Sequence, residues 1–242
     1  MLHNSMHDPA GTLPLMNLAI KVIDRRFDLL RSNINTVVRD QNMFGLGDTP
    51  PLFQFNQTGP EKVVTFEQWI GEQFDNDVLV VDDSGRVTFI DAEINEAFQK
   101  GRIRAQNEIT VATGTSEAGF PILGTGVQSE QLQLVFQQVN ANFSAMSVSA
   151  RNTLSGTFAR GITAGLSPSE MAAVLIAELK IPQQKARAIA RTEIQRAHHL
   201  GNISELEAAN IQGVVILAEW DTAKDGKVCR DCGRLQNQIF TV

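Results

Sequence analysis

The chain contains a single pair of cysteines, Cys229 and Cys232, separated by two residues and followed by Gly233. A Cys-x-x-Cys-Gly turn lets two thiolates face one ion, with the glycine supplying the left-handed backbone that a knuckle needs. Zinc takes four ligands, and there is no second cysteine pair to complete the set. His198 and His199 could add nitrogen ligands, but they lie well upstream on a helical stretch. The residues by themselves read as two reduced, partly buried thiols with no cofactor. A zinc knuckle and a thioredoxin-like dithiol are the alternatives. Thiols spaced this closely staple nothing across a chain of 242 residues, which fits synthesis in a reducing compartment.

A second group of chemically useful residues is cationic. Lys185, Arg187, Arg191 and Arg196, with Lys180 just before them, make one helical stretch basic, and Glu193 sits among them. Such a pattern ordinarily means a salt-bridged surface; the sharper alternative is contact with phosphate or DNA. Nothing else assembles into catalytic machinery. Of four histidines, two lie in the first seven residues. Asp75, Asp77, Asp82 and Asp83 flank a turn, where solvated carboxylates are ordinary. Gly45-x-Gly47 and Gly124-x-Gly126 lack the strand-to-helix setting of a phosphate loop. No enzyme is expected.

Composition bounds the rest. With 43% hydrophobic, 20% charged and 6% aromatic residues, the chain can bury a real core, and its net charge of −6 argues against a nucleic-acid coat. No apolar run reaches the roughly 18–20 residues that cross a bilayer, and the first residues lack the pattern of a secretory signal, so a soluble product and no membrane partner are expected. Charge is uneven: residues 1–150 hold ten basic and eighteen acidic side chains, whereas residues 151–242 hold eleven and nine. That shift places a module boundary near Arg151. Residues 1–149 form a helical region with a small hairpin, and residues 150–242 form a second module.

The elements that must position these groups are mainly helical. Leu15, Leu18, Val22, Leu29, Leu30, Ile34, Val37 and Val38 recur at helical spacing and predict an amphipathic helix over 15–38. Either it packs on its own core, or Leu18 and Val22 belong to a docking stripe for another protein. A Gly/Pro-rich loop follows over 45–60, with Phe44, Phe53 and Phe55 needing burial beside it. Thr65 and Gln68 fit a capping box. Residues 77–81 and 86–90 read as a β-hairpin, Asp91 as a cap, and 130–160 as a long helix kinked near Gly156 and Gly161. Ser167-Pro168-Ser169-Glu170 is a helix start, and a second helix begins at Pro182. Strands over 214–219 and 238–242 close a small sheet. The fold class is mainly α with small β elements (α+β): a long-helix N-terminal region and a small C-terminal α+β module ending in the cysteine turn.

One resemblance sharpens this reading. Ala190-Arg191-Thr192-Glu193, Ala197, Trp220, Asp225, Val228-Cys229 to Cys232 and Leu235, in that order, resemble the phage Mu F-like minor head proteins of tailed bacteriophages. The resemblance covers about residues 150–242. It makes Arg191, Glu193, Trp220 and Asp225 structural motif residues, with Glu193 paired to a neighbouring arginine and Trp220 largely buried under the knuckle. Family members commonly continue into a P-x-x-H-P-x-C-R-C segment whose His and Cys would complete a metal site. The sequence given stops at Val242, before any such segment. What the resemblance implies is a low-copy structural protein of the virion, assembled in the bacterial cytoplasm and held inside the head at the portal vertex. It would act in head assembly, DNA packaging or ejection. Several copies of it would sit on each portal, and its partners would be the portal protein, the major capsid protein, and packaged DNA met by Lys185, Arg187, Arg191 and Arg196.

Overall fold

A computed structural model of the chain describes residues 8, 10–47, 58–114, 125–211, 217–222 and 228–241. The N-terminal amphipathic pattern forms α1, Leu13–Ile34, which widens into a π-helical turn over Asn35–Asp40. Asp8 satisfies the helix's first orphan donors, its carboxylate accepting from the Thr12 and Leu13 amides at 3.1 and 2.8 Å. The buried row is Leu15, Ala19, Ile23, Phe27, Leu30, Ile34 and Val38. Leu18 and Leu29 instead stand 50% and 47% exposed, and Val22 is half-buried. The stripe read from sequence as one apolar face is thus divided. An unbroken three-and-four spacing runs through Ala19 and Phe27, and burying the Phe27 ring fixes the rotation of the helix.

α2, Gly59–Glu72, starts well before the expected Thr65. Thr58 is its cap: Glu61 reaches back to the Thr58 amide at 2.7 Å, and Pro60 occupies the first turn. Thr65 lies inside the helix and donates its hydroxyl to the Glu61 carbonyl. A second π-helical turn, Gln73–Val78, consumes the start of the expected first strand. Val80 then turns left-handed, with φ 48°. The hairpin shrinks to one antiparallel bridge, Val81 to Val87, around a turn at Asp82–Gly85. Burial of Phe74, Val78 and Leu79 in the helical core outweighs their strand propensity.

Four more helices complete the body among the described residues: α3 (Asp91–Thr113), α4 (Thr125–Thr163), α5 (Pro168–Glu178) and α6 (Lys180–Ile211). Asp91 is the first residue of α3 rather than its cap; its carboxylate pairs with Arg86 at 2.7 Å. α4 runs through Gly156 and Gly161 without a break. Gly161 serves a different purpose, because a methyl there would overlap the Met171 thioether of α5. Ser167 and Glu170 form the expected capping box, and α5 gives way to α6 at Leu179, leaving Pro182 in the first turn of α6.

One core joins these helices. Phe66 and Phe158 stack at 4.1 Å, and Phe44 meets both edge-on. Phe53 and Phe55 lie outside the described residues. Buried residues on both sides of position 149 share this core, and α4 spans that position. α3 and α6 cross so closely that a methyl on Gly101 would overlap the His198 carbonyl, and one on Gly201 the Phe98 carbonyl. After α6 come β1 (Leu217–Glu219), the short α7 (Arg230–Leu235) and β2 (Ile239–Thr241). β1 and β2 pair antiparallel with Ala218 opposite Phe240, as the two apolar runs imply. The fold is mainly α with a small β element.

Candidate functional site

The residues singled out from sequence fall into three places. On α6, Glu193 is 1% exposed. Its Oε1 accepts from Asn142 Nδ2 of α4 at 2.8 Å, and its Oε2 pairs with Arg196 at 3.1 Å. The expected arginine pairing is present, with Arg196 one turn along the helix, while Arg191 and Thr192 face outward. Within the Arg-Thr-Glu motif it is therefore Glu193 that clamps α6 to α4. Asn142 had no signal in the sequence, since its role depends on where α4 lands.

The basic residues of α6 do not form one surface. Arg187 is committed to α1, its Nε donating to Asp24 Oδ1 at 2.6 Å, while Gln183 donates to the same oxygen at 2.9 Å. Arg191, one turn from Arg187, is exposed on that side. Lys185 and Arg196, close to three whole helical turns apart, share the other side. A single stripe that tracks a phosphate backbone is not what this spacing builds.

The third place is the C-terminal sheet with its cysteine turn. Trp220 is 41% exposed, contrary to the burial expected of it. Its backbone exchanges hydrogen bonds with Gln238 and Asn237, both at 2.8 Å, so the sheet holds the main chain while the side chain stays partly exposed. Too few described residues lie here to bury an indole: Leu217, Ile239 and Phe240 are exposed as well. Gln236 ties the ends together, its Oε1 accepting from the Thr222 amide and hydroxyl at 2.8 and 2.6 Å. Asp225 lies outside the described residues.

Cys229 caps α7, its Sγ accepting from the Cys232 amide at 3.1 Å. Both thiols are free; Cys229 is exposed and Cys232 half-buried. Hydrogen bonds from the Cys232 thiol and then its amide hold the Cys229 thiol below the ordinary cysteine range. The same thiol contact, followed by desolvation, pushes Cys232 up. Among the described residues no group of three or more His, Cys, Asp or Glu is placed to hold a metal ion. Cys229 and Cys232 give two of the four ligands zinc takes, and the described residues do not complete the set.

One feature was read from the sequence as an alternative, the stripe holding Leu18 and Val22, and a second escaped it. Leu18 and Leu29 leave an apolar row on the solvent side of α1, with the half-buried Val22 between them. Beside the α3–α6 crossing lies a cleft of about 380 Å³ lined by Ala10, Arg104, Gln195, His198, His199 and Asn202. His198 is buried there, and its Nε2 has no hydrogen-bond partner among the described residues. Burial first, then the charges of Arg104 and His199, lowers its pKa from the ordinary value.

Residues 152–242 match the model of the family described as Phage Mu protein F like protein. No curated protein and no solved structure matches the chain. No described helix is long and apolar enough to cross a membrane.

Proposed function

From a chain whose residues 152–242 match the model of the phage Mu protein F-like family, we infer a structural protein of the bacteriophage head that works at the portal vertex during assembly, by binding rather than catalysis. The family match is the observation that carries the head-morphogenesis role. The portal assignment rests on symmetry and on α1. A protein recruited to a single vertex of a shell with many equivalent vertices takes its specificity from what is unique there, and that is the portal ring. Docking needs apolar side chains that the fold itself does not consume. Leu18 and Leu29 meet that condition, because the opposite row of α1 fills the core. Repeated copies of one chain around a ring-shaped portal would present this row several times, so even a modest contact gains by avidity.

The test is a Leu18→Ser, Val22→Ser double variant, co-expressed with the portal protein. Removing an exposed leucine and a half-buried valine leaves a soluble, cooperatively melting chain, and recovery with the portal is lost. Normal portal recovery by the stable variant overturns the docking face. The family assignment is unaffected by that outcome.

A further inference from the structure

The outward row of α1 is not apolar throughout. Leu18, Lys21, Arg25 and Leu29 follow one another at steps of three, four and four. They lie in one line about 16 Å long, on the side of the helix away from the core. Leucines mark its ends and two cations its middle. The other charges of α1 are turned elsewhere. Arg26 donates to the Asp77 carbonyl, Arg31 donates to Asp28 and Gln183, and Asp24 accepts from Arg187. Lys21 and Arg25 stand exposed on the outer line. They stand in a stretch, residues 1–150, that holds eighteen acidic and only ten basic side chains.

α6 extends this charge. Arg31 meets Gln183, Asp24 meets Arg187, and Ala10, ahead of α1, lines a cleft with His198, so the two helices run antiparallel. One turn beyond the Asp24–Arg187 pair, that order sets the exposed Arg191 beside Lys21. The Glu193 clamp uses Asn142 and Arg196 and leaves Arg191 facing outward.

We propose, on the strength of the portal reading, that this face takes an acidic amphipathic helix of the portal protein. Its carboxylates meet Lys21, Arg25 and Arg191, and its apolar side chains meet Leu18 and Leu29. A helix fits because both walls of the face are helices, whose backbone groups are used internally. An added strand would find no edge to pair with, whereas a third helix can seat a ridge of side chains along the seam. A phosphate backbone is the poorer match, since it would set charge against the leucines and bury little of their surface. Carboxylates supply the opposite charge, and helical spacing supplies apolar neighbours in the same register.

The experiment co-expresses the full chain with the portal protein and measures recovery of the complex at about 0.05 and about 0.5 M sodium chloride. Wild-type recovery should fall about tenfold over that range, and Lys21→Glu, Arg25→Glu should cut it about tenfold or more at the lower salt. Both positions are exposed, so this variant should melt with the wild type. Arg191→Glu should weaken recovery in the same direction. Lys21→Gln, Arg25→Gln should bind weakly and no longer respond to salt. Salt-independent recovery of the wild type overturns the proposal, as does normal recovery of the charge-reversed variant. The Leu18→Ser, Val22→Ser variant separates the two levels. If it loses the portal while the charge reversal keeps it, the docking face stands and the acidic partner falls. If both keep it, the portal reading falls as well. Two arms on the chain alone address rival occupants. Salt-sensitive binding to a random-sequence DNA duplex that charge reversal abolishes, with portal recovery unchanged, makes the face a DNA contact. Sedimentation showing oligomers that charge reversal disperses, again with portal recovery unchanged, makes it a contact between copies. Either result overturns the assignment.

Discussion

Glu193 and the two groups that touch it are unequal partners, and the inequality decides which substitution hurts. The carboxylate is buried, whereas the Arg196 side chain is 42% exposed and can return to water. Removing Arg196 leaves a buried charge with Asn142 as its described partner. Glu193→Gln removes the charge but keeps an oxygen that can accept from Asn142. Arg196→Ala should therefore cost more, about 2 kcal/mol, and Glu193→Gln about 1 kcal/mol. Midpoints of urea unfolding compare them directly, and the reverse order would mean that the carboxylate is not desolvated. His198 gives a second prediction of this kind. It faces Arg104, His199, Asp8 and Glu108, and its pKa in the folded chain lies below the ordinary 6.5. As pH falls through about 6.5, the unfolded chain binds the proton before the folded one does. Stability is whole near pH 7.5 and declines toward pH 5.5, above the range where carboxylates titrate. The melting temperature of the wild type should fall over that interval more than that of His198→Leu, whatever the variant's absolute stability.

Elements show why some of this was legible and some was not. Capping at Ser167, the long helix over 130–160, and the pairing of 217–219 with 239–241 follow from local chemistry, and the structure contains them. The rotation of α1 was not legible, because Leu18 and Phe27 both fit a helical stripe and tertiary contact chooses between them. Nor was the loss of the 77–90 hairpin, where strand-forming residues are taken by a π-helical turn and the core. Sequence also gives no hint that Gly101 and Gly201 face each other's helix, since they lie far apart in the chain. At that crossing the neighbour is backbone and cannot move aside without parting α3 from α6. Gly101→Ala or Gly201→Ala should each destabilise by more than the roughly 1–3 kcal/mol of ordinary overpacking. Gly156→Ala is the internal control, because its new methyl would meet only the flexible end of Arg160 at 3.4 Å. There the gain in helix propensity should leave the protein unchanged or steadier by about 0.5–1 kcal/mol. Thermal melts of the three variants would expose any error in this ranking.

At the scale of the whole molecule, the family match and the core are drawn on different lines. The matched residues begin at 152, inside α4, yet α4, α5 and α6 bury their apolar faces against α1, α2 and α3. The helical part of the matched segment cannot be cut from the N-terminal helices without opening that core. The sheet is the reverse case. No described residue of 217–241 belongs to the core cluster, and Leu217, Ile239 and Phe240 on the two short strands, with Trp220 just after the first, remain exposed. A two-stranded sheet is marginal in water, so this part should sit at the low end of the stability scale and open independently of the helices. Trp220→Ala removes a side chain that is 41% exposed, in contrast to the several kcal/mol a fully buried aromatic would cost. The variant should melt within about 1 °C of the wild type by helical circular dichroism, because a surface change is worth about 0.5 kcal/mol or less. Amide exchange would locate the effect: backbone protection over 217–222 and 236–241 should be the lowest among these elements and should drop further in the variant. A shift of the main helical transition would instead mean that the sheet shares the helices' cooperative unit and that Trp220 is buried in solution.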